Sequence, residues 1–586
     1  MNSGSIEKLQ SGSRVAVIGG GPSGSFSSYF LHQIAGRVGA DIKVDIYEPR
    51  DFVCTGPKSC NMCGGIVSES LLMHLAAEGI NLPAAVIQRR LDSYHLHMDV
   101  GSVRIKTPEL EKRIAAVHRG SGPRGLADPL DGFDAHIMGL AKAQGANVIQ
   151  ERVTGVTMNG DRPRLTTASG ESGPYDLLVV ATGINTALLK LFEKQDTGYR
   201  RPKAVQASIC EFRLGRWMME RHLGNAMHVF LLNIPRLEFA ALIPKGEYVT
   251  LVLLGDDIDK ELMLNFLDAP ELKAVMPPDW KLPDDYCHCS PRMPVAAAVK
   301  PYGDRIVFVG DCGTSRLYKD GIGAAYRMAK AMSRTAFFHG VSEQAFHKHY
   351  RPACRGMIQD NRIGKFVFWV TGFIQKFKFL RRAVWRMASR EQQRKGAIPR
   401  MSTVLWDTFT GSASYKSVLM RTLHPAYMGR LAADIATAVV QPKNDGTGGR
   451  NTMPSNVTGF MGKKYRDGEV IFHQGERGDC MYVVQEGEVE LVQRQADKEF
   501  CLMTMKKRDI FGENVIFNSN PVRQATARAV GDIYVLTLEK DMLLTRLHED
   551  PSLAFTLLQS MSQRIQNLES TVVRMSSASW SVPIGD

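Results

Sequence analysis

The stretch Val15-Ala16-Val17-Ile18-Gly19-Gly20-Gly21-Pro22-Ser23-Gly24 decides how this chain begins to fold. Four apolar residues fit a buried parallel strand, and the glycines after them fit a tight turn into a helix. In this Gly-x-Gly-x-x-Gly spacing Gly19 allows the turn and Gly21 lets backbone approach a pyrophosphate, while Gly24 lets the helix pack closely on the strand. The amide groups at the helix start, around Ser23, then face the phosphates. A second apolar strand, Val44-Asp45-Ile46-Tyr47, ends on Glu48, where a carboxylate takes a ribose hydroxyl. The pattern predicts an α/β fold with a Rossmann-type dinucleotide-binding domain.

At 586 residues the chain has room for several domains. Its 44% hydrophobic and 23% charged residues are ordinary for a soluble globular protein. No apolar run approaches the roughly 20 residues that span a bilayer. The opening Met1-Asn2-Ser3-Gly4-Ser5 has no basic region followed by an apolar core, so a secretory signal is not expected. Ten cysteines then read as reduced thiols of a cytoplasmic protein. The net charge of +13 points to an anionic partner: a lipid surface, a nucleotide or a nucleic acid.

Beyond Glu48 lies Cys54-Thr55-Gly56-Pro57-Lys58-Ser59-Cys60-Asn61-Met62-Cys63-Gly64-Gly65. Cys60 and Cys63 have the spacing of a zinc knuckle or a redox pair, but no matching second pair follows. The remaining reading is a loop lining a cofactor, with Gly64 and Gly65 admitting a ring close to the backbone. Cys287-His288-Cys289 is wrongly spaced to complete a metal site, and no metal is expected. The glycine-rich run around Arg119 precedes a helix opening at Gly132-Phe133-Asp134. Asp176 to Val180 reads as a strand ending at Ala181-Thr182-Gly183, and Arg305 to Val309 as a strand ending at Gly310-Asp311. Gly321 and Gly323 begin the next helix. Asp311 suits ribose or ribityl hydroxyls, or a plain helix cap.

This ordered set resembles the FAD-dependent oxidoreductases of the geranylgeranyl reductase family over about residues 12–360. Cys60-Asn61-Met62-Cys63-Gly64-Gly65 is similar to that family's Cys-Gly-Gly loop beside the flavin. The resemblance implies FAD as cofactor, with Gly19, Gly21, Gly24 and Glu48 at its AMP half and Asp311 on the flavin side. It implies Cys63 as an active-site cysteine with Gly64 and Gly65 beside it. Arg119, Thr182, Gly183, Gly310, Gly321 and Gly323 fall in the same cofactor-binding segments. Strands at about 205–300 would then floor a substrate cavity within an oxidoreductase domain spanning 12–355. No second Gly-x-Gly-x-x-Gly follows a strand, so electrons would come from transient NAD(P)H or from a protein donor such as reduced ferredoxin.

Residues 356–440 read as a basic amphipathic helical region. Arg362, Lys365, Lys376, Lys378, Arg381, Arg382, Arg386, Arg390, Arg394 and Lys395 accompany Phe366, Phe368, Trp369, Phe373, Phe377, Phe379 and Trp385. This composition fits an anionic membrane surface, and also helix packing with solvated charges; an RNA backbone is the less favoured partner. Residues 441–458 read as a flexible linker.

From 459 to 572 short strands alternate with turns and close on a helix from about Leu553 to Val572, as in a jelly-roll barrel. This segment resembles the cyclic nucleotide-binding domain. The resemblance implies that Gly512 supplies the turn, Glu513 holds the ribose and Arg523, followed by Gln524, holds the cyclic phosphate of cAMP or cGMP. No helix-turn-helix follows, which argues against a transcription factor. The reading expects an FAD enzyme reducing double bonds of an isoprenoid or other lipid at the membrane surface, regulated by cyclic nucleotide. The alternatives are a flavin monooxygenase and a non-catalytic, membrane-docked sensor. Substrate identity and oligomeric state stay open.

Overall fold

The computed structural model describes residues 8–52, 55, 64–107, 114–123, 126, 129–159, 162–195, 197–393, 399–440, 462–495, 498–507, 509–517, 521–540, 543 and a few positions between 558 and 570. Cys54, Cys60 and Cys63, the expected linker at 441–458 and nearly all of the expected closing helix lie outside the described residues. The chain divides into two units. One comprises Met1–Ser68 and Ala84–Gly459; the other comprises Glu69–Pro83 and Phe460–Asp586.

The first unit is built on a six-stranded sheet. Its order is Tyr302–Gly303, Ile306–Phe308, Leu177–Val180, Arg14–Ile18, Lys43–Tyr47, Asn147–Ile149. The glycine-rich turn's strand Arg14–Ile18 is central, parallel to Leu177–Val180 on one side and to Lys43–Tyr47 on the other. Such a strand is covered on both faces, which is why Val15 to Ile18 are all apolar and all buried. The helices Pro22–Val38 and Gly321–Phe338 pack together through Phe26, Phe30 and Tyr326, with ring centroids 5.3–6.3 Å apart.

A seven-stranded sheet forms the second layer, in the order Cys287–Cys289, Ser208–Arg213, Tyr248–Gly255, Leu237–Lys245, Ala226–Phe230, Ser93–Met98, Gly101–Lys106. It contains the strands expected at 205–300, and it also recruits Ser93–Met98 and Gly101–Lys106. On one face Tyr94, Met227, Phe239 and Ile243 share a core with Phe368, Met387, Trp406, Phe409 and Tyr415. Those partners come from the helices Arg351–Lys376, Lys378–Gln393, Arg400–Thr410 and Tyr415–Thr422. On the other face the imidazoles of His95 and His97 stack on His228, with centroids 4.9 and 5.1 Å away. Burial pushes His95 down to about 4 and His97 to about 3, and it also lowers His228.

In the second unit the strands Cys480–Gln495 and Thr526–Glu539 pair antiparallel along most of their length. Alternation splits their side chains between two layers. Tyr482, Val484, Val489 and Val535 join Phe472, Phe511 and Ala527 in one core. Met481, Val483, Leu536 and Leu538 face the other way, where Ile510, Val515, Ile516, Met73, Ala76 and Ala77 cover them. The helix Glu69–Ala77 therefore packs with the C-terminal strands Cys480–Gln495 and Thr526–Glu539, although it lies far earlier in the sequence. The sequence alone places 12–355 in one oxidoreductase domain, whereas Glu69–Pro83 cluster with the C-terminal unit. The reason is apolar burial: Met73, Ala76 and Ala77 cover the outward-facing Met481, Val483, Leu536 and Leu538.

Candidate functional sites

The C-terminal ends of the three central strands of the six-stranded sheet converge on the glycine turn. A side-chain carbon on Gly24 would stand 1.8 Å from the Gly19 carbonyl oxygen, so only glycine brings the helix this close to the strand. Glu48, 2% exposed, accepts a hydrogen bond from the Gly20 N–H at 2.8 Å and from Arg50 Nε at 2.9 Å. Burial alone would raise its pKa, but Arg50 and the Gly20 N–H outweigh burial and hold the carboxyl below its ordinary range. Glu48 thus stays ionised at the edge of the turn, able to accept from further hydroxyls.

Arg119 reaches the same turn. Its Nη2 lies 3.5 Å from where a Gly21 side chain would begin, so Gly21 opens onto a guanidinium. The buried Asp134 grips that guanidinium with two bonds, 2.9 and 2.8 Å. Thr182 and Gly183 follow the strand Leu177–Val180, and Gly310 packs against Ser23 at the start of the first helix. Asp311 sits in the short turn Gly310–Cys312. The helix-cap alternative for Asp311 does not hold, because Asp320 occupies the position before the helix Gly321–Phe338. Gly323 leaves room for the Asp320 carboxylate, and Gly321 faces open space. Small residues, a held cation and the Glu48 carboxylate around one helix start suit the phosphates and ribose of a dinucleotide such as FAD.

Gly64 and Gly65 lie between the seven-stranded sheet and the strand Ile114–Val117. Gly65 adopts φ +70°, and a side chain there would meet the Val117 carbonyl at 1.9 Å and Lys245 Nζ at 2.8 Å. Beneath them is a buried polar group that the sequence reading missed. His118 Nδ1 is 3.3 Å and Lys245 Nζ 3.7 Å from Glu211 Oε1, and Thr250 donates to the same carboxylate at 2.6 Å. Burial opposes ionisation of Glu211, but His118, Lys245 and Thr250 hold it at about 2. Burial lowers His118, and its Nε2 has no partner among the described residues.

Lys319 is a second residue missed. The segment before it is fixed by Arg316, which donates to the Gly411 carbonyl at 2.7 Å, and by Tyr415, whose hydroxyl donates to the Leu317 carbonyl at 2.5 Å. Tyr318 and Asp320 on either side adopt left-handed φ of 57° and 56°, a strained arrangement typical of functional loops. Lys319 Nζ ends 3.8 Å from the centre of the Phe239 ring and 5.8 Å from that of Phe409. It pairs with no carboxylate among the described residues, and burial pushes the amine down to about 7. The residue is half-buried, so solvent still reaches part of it. The signal available in the sequence was a charged residue beside a glycine-rich helix start.

In the second unit Gly512, Glu513 and Arg523 come together. Arg523, 4% exposed, donates to the carbonyls of Gly512 at 2.7 Å and Cys480 at 2.8 Å. Its guanidinium lies 4.1 Å above the Phe472 ring. Glu513, next to Gly512 in the chain, is buried, whereas Gln524 is exposed. No carboxylate pairs with Arg523 among the described residues. A buried cation whose partners are neutral carbonyls retains donors for an anion.

Residues 462–550 match the cyclic nucleotide-binding domain family. The C-terminal unit therefore carries a cyclic nucleotide-binding domain. Over 100 residues the chain is 29% identical to a CRP-like cAMP-activated global transcriptional regulator of Mycobacterium tuberculosis, covering 17% of this chain and 44% of that one. Over 74 residues it is 38% identical to a cAMP-dependent protein kinase regulatory subunit of Yarrowia lipolytica, covering 13% and 19%. The match thus spans less than half the length of these curated relatives. Among solved structures, the flavin-dependent brominase Bmp2 aligns with a TM-score of 0.47 at 17% identity, covering 64% of this chain and 92% of that one. A flavoprotein/dehydrogenase from Cytophaga hutchinsonii aligns with a TM-score of 0.48 at 14% identity, covering 73% and 98%.

Proposed function

We propose that the first unit is an FAD-dependent oxidoreductase acting on an apolar substrate, and that cyclic nucleotide at Arg523 regulates it. The observation that supports FAD is the convergence of Glu48, Arg119 and Gly310 on the glycine turn, with Asp311 next to Gly310 in the chain. Bound there, the flavin would supply two-electron redox chemistry. The chain's own part would be to fix the pyrophosphate through Arg119, held by Asp134, and the ribose through Glu48. Phe239, Ile243 and Phe409 would present an apolar wall to the substrate, with the Lys319 amine the titratable group on it.

Two chemistries suit that wall. Reduction of isoprenoid double bonds rests on the resemblance around Cys63. Oxygen-dependent hydroxylation needs an apolar, enclosed site and no cysteine, and so fits the described residues equally well. The test is anaerobic reduction of the purified protein with dithionite, followed by geranylgeranyl lipid or by oxygen. Re-oxidation by lipid without oxygen supports reduction. Re-oxidation by oxygen with hydroxylated product supports monooxygenation. Absence of any bound flavin overturns both.

Regulation rests on the helix Glu69–Ala77. It follows directly on the Cys60–Gly65 segment, and it packs against Val515 and Ile516, which come two and three residues after Glu513. A nucleotide that moves the Gly512–Glu513 turn would press on this helix, and through it on the backbone leading to Gly65. Addition of cAMP or cGMP should change the rate of flavin turnover, and Arg523→Ala should abolish the change while leaving flavin content intact.

A further inference from the structure

The helix Arg351–Lys376 buries one side and exposes another in a way its neighbours do not explain. Gly364, Phe368 and Gln375 point inward: Phe368 packs on Phe239 and Tyr415, and Gln375 donates to the carbonyls of Leu232 and Glu238. On the opposite side Phe366, Trp369 and Phe373 recur at three and four residues and so share one face, and Phe377, the first residue beyond the helix, continues their row. All four are exposed, from 40% at Phe377 to 66% at Trp369, and Phe379 continues the row at 37%. Their rings touch in sequence: centroids lie 5.8 Å apart for Phe366 and Trp369, 6.2 Å for Trp369 and Phe373, 4.7 Å for Phe373 and Phe377, and 5.8 Å for Phe377 and Phe379.

The same stripe carries Arg362, Lys365 and Lys376, with Lys378 just beyond it. All four are exposed, and none pairs with a carboxylate among the described residues. Other basic residues of the segment behave differently. Arg381 is held by Asp99 at 2.6 Å and Arg390 by Asp434 at 2.6 Å. The sequence reading left membrane binding and simple packing as rivals, and the structure divides the basic residues between them. Packing accounts for Arg381, Arg386 and Arg390, and it leaves an aromatic row edged by unpaired cations unaccounted for.

We propose that this row is a docking face for an anionic lipid bilayer. Phenylalanine and tryptophan rings partition into the boundary between headgroups and acyl chains, while lysine and arginine beside them meet lipid phosphates. A protein partner would need an acidic apolar groove to match. A bilayer needs nothing more than negative charge and interfacial depth, and a row of rings on one helix face lies flat on such a surface. No helix among the described residues is long and apolar enough to cross a membrane, so attachment through this face would be peripheral.

The test is co-sedimentation of the full-length protein with phosphatidylcholine vesicles and with vesicles containing phosphatidylglycerol, at low and high salt. Binding is expected to the phosphatidylglycerol vesicles, weakening with salt. Trp369→Ser with Phe373→Ser should lower the partition coefficient at least tenfold. Lys365→Glu with Lys376→Glu should remove the preference for anionic lipid, at about fivefold or more per charge. These side chains are exposed, so an unchanged melting temperature should verify folding in each variant. Equal binding by parent and aromatic variant overturns the proposal. So does absence of binding to either vesicle. A parent that self-associates in solution, with the aromatic variant monomeric and vesicle binding unaffected, would assign the row to contact between copies and overturn it as well.

Discussion

Met73→Ala tests the most unexpected assignment in the fold, namely that the helix Glu69–Ala77 draws its stability from the C-terminal strands. Met73 is 6% exposed and lies in the layer formed by Met481, Val483, Ile510, Val515, Ile516, Leu536 and Leu538. Truncating a buried methionine to alanine costs about 2–5 kcal/mol, and the lower part of that range suits a residue on a covering helix rather than at the centre of a core. A loss of about 2–3 kcal/mol corresponds to roughly a 30–150-fold change in an opening equilibrium. The assay is hydrogen exchange read by mass spectrometry on the intact protein. Amides of Cys480–Gln495 and Thr526–Glu539 should exchange faster by about that factor. Those of Arg14–Ile18 and Leu177–Val180 should keep their rates. If the C-terminal strands keep their protection while the six-stranded sheet loses it, the helix is held by the first unit and the reasoning fails.

Gly24→Ala places a carbon 1.8 Å from the Gly19 carbonyl, so the purified variant should contain little or no flavin by absorbance; full flavin content would refute the cradle. Lys319→Met removes an amine held near 7 against an ordinary value of 10.5. Between those values the unfolded chain binds the proton and the folded chain does not, so stability from this group rises with pH across that window. The variant should therefore be more stable than the parent at pH 7, with the difference fading toward pH 10, and any activity limb near pH 7 should vanish. His95 titrates at about 4 when folded against 6.5 when unfolded, so its contribution falls as pH drops from 6.5 toward 4. His95→Phe keeps a ring in the stack and should flatten that acid slope of the urea midpoint by about one proton; an unchanged slope would mean the imidazole is not buried neutral.

The features legible in the sequence are those set by neighbours along the chain. The strand–turn–helix around Gly19 to Gly24 and the strand ending at Glu48 are local patterns, and both fold as read. Arg523 was legible because its partner Gly512 is eleven residues away and its motif is compact. What was hidden depends on distant contacts. Glu211 acquires its partners from His118, just past the strand Ile114–Val117, and from Lys245 on another strand, and Lys319 its surroundings from Phe239 and Phe409. For the helix Glu69–Ala77 a clue was present: Leu71, Leu72, Met73, Leu75, Ala76 and Ala77 leave only a narrow polar edge at Ser70 and His74. A helix apolar over most of its surface must be buried over most of it, but which strands bury it cannot be told from its own residues.

The histidine stack has a further consequence, for hydrogen bonds fix which ring nitrogens of His97 and His228 carry protons. The Leu223 carbonyl can only accept, so His228 Nε2, 3.2 Å away, must carry a hydrogen. Neutral His228 then accepts at Nδ1 from His97 Nε2 at 2.9 Å, which leaves His97 Nδ1 bare to receive the Ser102 hydroxyl at 2.8 Å. The line runs one way, from Ser102 to Leu223, and binds three strands of the seven-stranded sheet without a single charge. An asparagine or glutamine at either position could turn over and reverse its ends. Imidazole tautomers locked by a terminal carbonyl cannot, and the sheet gains a polarity across its strands that its backbone ladder alone does not have.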